Sequence, residues 1–347
     1  MSPQAPDPTH KPARRRILLV GTSPGAFEPI GGLEIYLLRL ASYLGDLHEV
    51  TISSHPGRGG LDRAYRRPLE NFERFEPSSV DRLDQLARTH DLVLVNQWRY
   101  LVTAPERTVL MLHNGIREAY PEKSATEEGR RHLRAELALP AAIAACSKWA
   151  AGTFSEVVER EVHVLYPPID PVFLETPACA KRPVVGYIGR MSISKGVDLL
   201  PQIARRLEPY GLELEATMFT TDPGVQEILE EHLSTGLVRA VAPYTDPKLL
   251  AKYMASLAAV VKPSRFEAFG LSALEAQAAG TFVVSSSAEG LSEAVLPGGG
   301  VLTDGTVEGL TEGLRAIQGK RPGEEVRAEI RSRFAVANTA NRLLSLI

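Results

Sequence analysis

The feature that most constrains this chain is a repeated alternation of short apolar strands with helical segments. Residues 16–21 form a compact apolar run that ends in turn residues, and residues 32–45 then place apolar side chains at helical spacing. Similar units recur as far as residue 286. Such alternation is typical of parallel sheets joined by crossover helices. We therefore expect an α/β protein whose ligand crevice lies at the carboxyl ends of the strands.

The chain of 347 residues is too long for one ordinary core and suits two domains. A proline-rich stretch over residues 166–183 separates two series of strand–helix units. We predict a disordered arm over 1–14, a first Rossmann-like domain over 15–172, a linker over 173–182 and a second Rossmann-like domain over 183–324. Residues 55–80 show no clear period and are predicted to be irregular. The predicted strands are 16–21, 48–53, 91–96, 109–113, 141–146, 183–189, 213–219, 237–241, 258–262 and 281–286, and the predicted helices are 32–45, 196–208, 223–233, 247–256 and 271–279, with a further one starting at Ser147.

Composition excludes several classes of protein. A net charge of −3 gives no indication of a nucleic-acid partner. The longest apolar runs fall far short of the ~20 residues that span a bilayer. The arginines at 14–16 precede too few apolar residues for a signal peptide, so we expect a cytoplasmic protein. Cys146 and Cys179 have no metal-type spacing, and we expect one buried residue and one thiol in the linker.

A glycine pair, Gly31 and Gly32, stands directly before the first predicted helix. Bare glycines let a backbone approach a ligand, and a helix start offers free N–H groups to phosphate. Taken alone, the pair is more simply explained by a tight turn between strand and helix. No G-x-G-x-x-G pattern is present, which disfavours a nicotinamide cofactor.

Two cations, Arg190 and Lys195, lie on a loop between a predicted strand and a predicted helix. Such a pair can neutralise a diphosphate leaving group, although a solvated loop is the plainer interpretation. The order Lys-Gly differs from that of a Walker P-loop.

Two glutamates, Glu267 and Glu275, are eight residues apart around Phe269, Gly270 and Leu271. At 3.6 residues per turn they need not share a helix face, so we place Glu267 in a loop and Glu275 in a helix. Ser272 and Glu275 also fit a capping box, which would give that glutamate a structural role.

A histidine, His113, ends the strand predicted at 109–113 and is expected to face the crevice. A lone histidine is more often a local hydrogen-bonding residue than a catalytic one.

Taken together, these motifs resemble glycosyltransferase family 4, whose members are retaining enzymes of the GT-B fold, with two Rossmann-like domains facing each other across a cleft. The E-x7-E segment is the most specific match, and Gly31-Gly32, His113, the Arg190/Lys195 pair and Glu293 follow in the family's order. The resemblance implies that residues 325–347 form a helix that crosses back to the first domain.

The resemblance implies a role for each matching residue. Arg190, Lys195 and the Gly31-Gly32 backbone would bind the donor diphosphate, and Glu275 would bind the ribose hydroxyls. Glu267 would act at the transferred sugar together with Phe269, Gly270 and Leu271, and His113 would lie near the sugar and the acceptor. The donor would be a UDP-, GDP- or dTDP-sugar and the acceptor an unidentified hydroxyl, with no metal or other cofactor.

Some residues depart from the family pattern and keep alternatives open. Asn96 stands where many relatives have histidine, and the segment Ser287-Ala288-Glu289 replaces a glycine-rich approach to Glu293. A degenerate GT-B binding protein and a nucleotide-sugar epimerase therefore remain alternatives. Arginines at 63, 66, 67 and 74 could meet an anionic acceptor or lipid headgroup, although a solvated loop is favoured.

Overall fold

The computed structural model describes residues 13–21, 32–53, 75–76, 80–96, 104–217, 225, 227–228 and 234–347. Within these residues the chain forms two parallel sheets, each covered by helices on both faces. The fold class predicted from the alternating pattern is therefore confirmed.

The first sheet has the strand order β3-β2-β1-β4-β5-β6-β7, and every pairing is parallel. Residues of β4 and β5 are buried along the whole strand because helices cover both faces of the sheet. The order reverses between β1 and β4, which is where a doubly wound sheet opens its crevice. The strands are β1 (Arg16–Val20), β2 (Glu49–Ser53), β3 (Phe75–Glu76), β4 (Leu92–Asn96), β5 (Thr108–Leu112), β6 (Ala142–Ala145) and β7 (Val162–Val164).

The longer helices around the first sheet bury one apolar face each. In the first helix Tyr36, Leu37, Leu40 and Leu44 are buried at helical spacing against the sheet. The helices are α1 (Gly32–Gly45), α2 (Val80–Thr89), α3 (Ile116–Ala119), α4 (Pro121–Ala125), α5 (Glu127–Leu137) and α6 (Lys148–Ser155).

The second sheet has the order β10-β9-β8-β11-β12-β13, and its order reverses between β8 and β11. Its strands are β8 (Arg182–Tyr187), β9 (Glu213–Thr217), β10 (Val238–Val241), β11 (Leu257–Lys262), β12 (Val283–Ser286) and β13 (Gly300–Thr303). The remaining helices are α7 (Pro171–Glu175), α8 (Leu200–Leu207), α9 (Pro247–Ser256), α10 (Leu271–Ala278), α11 (Leu291–Ala294), α12 (Val307–Ala316), α13 (Glu324–Arg333) and α14 (Val336–Leu344).

The last helix returns to the first sheet, whereas α13 packs against α10 of the second domain. α14 packs against α1, and Arg15 donates a hydrogen bond to the Leu344 carbonyl at 3.1 Å. The Ile169 N–H donates to the Phe334 carbonyl at 2.8 Å, beside the segment that joins the two sheets. The single helix expected over 325–347 is two helices that meet at Phe334 and Ala335.

Several sequence predictions need correction. The helix α2 was not predicted, although Leu83, Leu86 and Ala87 repeat at helical spacing on its buried face. The helix predicted at 196–208 begins at Leu200 and ends at Leu207, because Gly196 adopts φ +74° and the next residues, Val197–Leu199, form a 3-10 turn. Most of the helix predicted at 223–233 lies outside the described residues, as does the segment 54–74. The helix α9 matches the predicted range 247–256, and the domain boundaries stay predictions.

Candidate functional site

The loops that follow β8 and β11 bring the predicted diphosphate and sugar residues together. Lys195 Nζ lies 2.9 Å from Glu267 Oε2 and donates to the Phe266 carbonyl, also at 2.9 Å. Both side chains are largely but not wholly buried. The structure thus joins one cation of the first motif to the first glutamate of the second.

A second ion pair fastens these two loops to each other. Arg265 donates to both carboxylate oxygens of Asp198 at 2.7 Å and to the Ile193 carbonyl at 2.7 Å. A side chain at Gly196 would collide with the Pro263 carbonyl, so the backbones of the two loops approach closely there. Arg265 and Asp198 were not predicted as site residues, because nothing in one sequence indicates a pair between two loops.

Arg190, the other predicted cation, has an exposed side chain at the carboxyl end of β8. Tyr187 Oη donates to its carbonyl oxygen at 2.8 Å, which holds the backbone of this turn. Its guanidinium forms no ion pair with any residue in the described part of the chain.

Glu275 lies inside α10, as predicted, but its surroundings were not foreseen. Arg39 of α1 donates to Glu275 Oε1 at 2.6 Å and to the Pro168 carbonyl at 2.8 Å. The side chains of Arg39 and Glu275 are 12% and 5% exposed. Burial raises the pKa of Glu275, and the Arg39 guanidinium opposes that shift. This buried pair links the first domain to the second.

The capping-box interpretation of Glu275 is wrong. The cap residue of α10 is Gly270 at φ +98°, with no side-chain hydrogen bond to the helix start. Ser272 Oγ instead donates to the Ile188 carbonyl at 3.1 Å. Glycine suits this left-handed position, where a Cβ would also lie 2.6 Å from Leu291 Cδ2.

Phe269 is buried at the join between the domains. Its ring lies 5.8 Å from the ring of Tyr166 and 5.7 Å from that of Phe334. The Phe269 side chain therefore packs in the core and is buried.

Glu289 is the non-glycine residue with positive φ in the described part of the chain, at +50°. Its Oε2 accepts the Glu267 N–H at 3.0 Å, and burial raises its pKa. Strained residues of this kind concentrate at functional sites. The departure from the glycine-rich family pattern at this residue signalled an unusual loop but not its contact with Glu267.

On the other side of the cleft, His113 and Asn96 end the neighbouring strands β5 and β4. His113 Nε2 lies 3.0 Å from Asn96 Oδ1, within hydrogen-bonding distance. The ring of Tyr36 packs edge-on at 5.1 Å. Burial lowers the pKa of His113 to about 3, so the imidazole is neutral near pH 7. Gly32 begins α1, whereas Gly31 lies outside the described residues.

The buried imidazole predicts a specific acid sensitivity. Because the pKa of His113 falls from 6.5 to about 3 on folding, the unfolded chain binds more protons between these values. The free energy of unfolding should therefore decrease as pH falls below 6.5. His113→Gln, which keeps a hydrogen-bonding group for Asn96, should flatten that decrease in urea titrations at pH 7.5 and 5. The exposed His132→Gln is the control, and equal slopes for wild type and His113→Gln would contradict the assignment.

Glu293 of the second domain binds the start of helix α6 in the first domain. Its two carboxylate oxygens accept the N–H groups of Lys148 and Trp149 at 3.0 and 2.8 Å. Tyr166 Oη donates to the same carboxylate at 2.8 Å. An anion at a helix N-terminus is stabilised by the free N–H groups and the helix dipole. The two domains thus meet through hydrogen bonds as well as through apolar packing.

Three further observations concern metal sites, membrane spans and the two cysteines. In the described part of the chain, no cluster of three or more His, Cys, Asp or Glu side chains could hold a metal ion. Among the same residues, no helix is long and apolar enough to cross a membrane. Cys146 is buried and Cys179 exposed, both as free thiols, as expected. The basic stretch at 63–74 lies outside the described residues.

Two family models match this chain, one for each domain. Residues 30–173 match the family described as Glycosyltransferase Family 4, and residues 182–318 match the one described as Glycosyl transferases group 1. A glycogen synthase from Mycobacterium tuberculosis is 36% identical over 152 residues, which cover 41% of this chain and 36% of that protein. A D-inositol 3-phosphate glycosyltransferase from Corynebacterium urealyticum is 32% identical over 189 residues, 50% of this chain and 44% of that protein. The chain therefore matches less than half the length of these curated relatives.

Solved structures share the complete fold. HepE from Anabaena, in complex with UDP-glucose, superposes with a TM-score of 0.78 at 20% identity over 96% of this chain and 99% of that one. Sucrose-phosphate synthase from Thermosynechococcus elongatus gives a TM-score of 0.69 at 18% identity over 96% and 98% of the two chains. At such identities the likeness shows the two-domain architecture and leaves the substrates open.

Proposed function

The chain belongs to glycosyltransferase family 4 and has the GT-B fold, and from this premise we propose that it transfers a hexose-type sugar from a nucleotide diphosphate sugar to an acceptor hydroxyl. The observation that carries the proposal is the 2.9 Å contact between Lys195 and Glu267 at the carboxyl ends of the second sheet. A cation suited to phosphate and a carboxylate suited to sugar hydroxyls meet where such a sheet binds its ligands.

The proposed reaction retains the configuration of the sugar. The bond between C1 and the diphosphate oxygen breaks, and the acceptor oxygen forms its bond to C1 on the same face. The acceptor proton passes to the departing phosphate, so no protein base is needed. Arg190 and Lys195 would stabilise the negative charge that develops on that phosphate. The neutral, hydrogen-bonded His113 suits a positioning role near the sugar and acceptor better than that of a cation.

The remaining roles are carried by residues around the same loops. Glu267 and the backbone of Phe269, Gly270 and Leu271 would hold the transferred sugar. Glu275 would bind the ribose through the oxygen that Arg39 leaves open, since Arg39 takes Oε1. The backbone at Gly31 and Gly32 would close on the phosphates from the first domain. Because Arg190 and Lys195 would neutralise the diphosphate in place of a metal ion, the reaction should be insensitive to chelators.

A ligand panel tests the donor side of the proposal. Thermal shifts are measured with UDP, GDP, dTDP, ADP and their common sugars, with and without EDTA. HepE was solved with UDP-glucose, so UDP-glucose is the first donor to examine. We expect a rise in Tm with one nucleotide class, unaffected by EDTA, followed by sugar transfer to a hydroxyl acceptor. The proposal would be contradicted if none of the nucleotides or nucleotide sugars raised the Tm.

Two glutamate variants should separate binding from turnover. Glu275→Ala is expected to weaken nucleotide binding roughly 10- to 100-fold, the equivalent of one charge-assisted hydrogen bond of ~1.5–3 kcal/mol. Glu267→Ala should lower kcat more than it weakens binding, because its partner Lys195 acts on the leaving group. Calorimetry and steady-state rates check both, with the exposed Glu308→Ala as the matched control. If Glu275→Ala left the nucleotide affinity unchanged, the role of Glu275 would be limited to its ion pair with Arg39.

The Arg39–Glu275 pair also supports a second candidate, a nucleotide-sugar-binding protein without activity of its own. In that case Arg39 would keep the glutamate from the ribose. Nucleotide binding with no turnover across an acceptor panel would favour this candidate. A C2-epimerised sugar product would instead indicate the epimerase alternative.

A further inference from the structure

A buried lysine, Lys262, ends β11 at the point where the strand order of the second sheet reverses. Its side chain bridges the two strands that flank this point and the helix above them. Nζ donates to the Ile188 carbonyl, just beyond β8, at 3.1 Å and to Ser272 Oγ, in the first turn of α10, at 3.0 Å. The residue is 3% exposed. A ligand crevice is expected at this position in a doubly wound sheet.

Within the described residues, the contacts of Lys262 include no anion: besides two oxygen acceptors, the ring of Tyr187 lies 5.7 Å from Nζ, and burial lowers the pKa of the ammonium group. Lysine is rarely buried unless it is paired, because removing an ammonium group from water is costly. Both described acceptors are neutral oxygens, and no carboxylate in the described part of the chain lies within 4 Å of Nζ. Two acceptors also leave one of the three ammonium N–H groups for another partner.

The loop beside Lys262 leaves room for that partner. Gly189 has φ +150°, and a Cβ at this residue would lie 3.3 Å from Lys262 Nζ. Because glycine has no side chain, a ligand atom can take the place that a side chain would fill. Gly189 directly precedes Arg190, so this opening lies next to the proposed diphosphate cations.

We propose that Lys262 is a third cation that binds the donor diphosphate. It would contact the diphosphate from the buried bottom of the crevice, whereas Arg190 and Lys195 would contact it from the edge. The inference rests on the proposed function and deepens it. Three fixed cations would neutralise a diphosphate without a metal, and the deepest of them would contact the phosphate that a monophosphate lacks. Ser272 is then a positioning residue, because its hydroxyl accepts a hydrogen bond from Lys262 Nζ and holds it beside the space at Gly189.

The test compares nucleoside diphosphates with their monophosphates. Calorimetric Kd values are measured for UDP and UMP, and for the guanosine, thymidine and adenosine pairs, with wild type and Lys262→Met. We expect Lys262→Met to bind the preferred diphosphate roughly 10- to 100-fold more weakly and the monophosphate almost as well as wild type. A purely structural role would weaken both ligands equally, and that result would overturn the inference.

The chain contains a closely matched control. Lys181 Nζ donates to the Gly280 carbonyl at 2.9 Å and to Thr281 Oγ1, so it also has one carbonyl and one hydroxyl acceptor. It stands just before β8, at the amino end of the same sheet. Lys181→Met should keep the wild-type ratio of diphosphate to monophosphate affinity. Equal losses of that ratio in both variants would refute a local role for Lys262.

Two further results keep the inference separate from the proposed function. If wild type binds no nucleoside diphosphate, the proposed function fails first and the inference fails with it. If wild type binds one and Lys262→Met retains its full affinity, the inference alone fails. Should Lys262→Met lack a cooperative melting transition, Lys262→Gln replaces it, because Gln keeps a donor for Ile188 without the charge.

Discussion

Replacing Arg39 with methionine is expected to lower the free energy of unfolding by about 3–5 kcal/mol, the usual cost of removing one partner of a buried ion pair. The variant leaves the Glu275 carboxylate buried without the guanidinium that lies 2.6 Å away. Urea titration at pH 7.5 measures the loss. Arg206→Met removes a surface pair with Glu308 and should cost less than about 1 kcal/mol. A loss in Arg39→Met no larger than in that control would contradict the expected result.

The same variant should recover stability as the solution becomes more acidic. Burial already raises the pKa of Glu275, and removing Arg39 raises it further. A carboxyl whose folded pKa is raised contributes stability below its unfolded pKa and loses it as pH rises through the folded pKa. The deficit of Arg39→Met should therefore shrink between pH 8 and pH 5. Adding Glu275→Gln should recover part of the loss at pH 8, because it removes the unpaired charge.

Lys195→Met is expected to lower kcat by roughly 10²–10³-fold, the range seen when one group that stabilises a developing negative charge is lost. The variant also releases Glu267, whose Oε2 lies 2.9 Å from Nζ. Initial rates at saturating donor measure the effect once the panel has identified a donor. Lys248→Met, on the exposed start of α9, should leave kcat unchanged. A kcat within a few-fold of wild type would remove Lys195 from the reaction.

The local pattern of the chain predicts most of the fold. Strands such as β1, β4 and β5 are short apolar runs buried on both faces, and α1 and α9 repeat their apolar residues at helical spacing. The helix α2 was not predicted, although its buried positions follow the same rule. Gly270 lies directly before α10, which begins where it was predicted, whereas a short turn over Val197–Leu199 separates Gly196 from the start of α8.

The site is harder to predict from the sequence than the fold is, because its contacts join residues that are far apart in the chain. Arg39 and Glu275 are 236 residues apart, and neither lies in a pattern that indicates the other. Lys262 follows five residues of an apolar strand and gives no sign that its head group reaches Ile188 and Ser272. The motif residues Lys195 and Glu267 were found because family resemblance marks them. Residues such as Arg39 and Lys262, which become partners only through tertiary packing, match no sequence motif.

The return of α14 onto α1 has a consequence for how the protein is made. A ribosome completes the first sheet long before it reaches residues 336–344, yet those residues pack on the first helix, and Leu344 accepts a hydrogen bond from Arg15. Domains generally fold as units during synthesis, the N-terminal one first. In this chain, the surface of α1 that α14 covers stays uncovered while the entire second domain is translated. We therefore expect the nascent chain to expose this surface of α1 until residues 336–344 have been made.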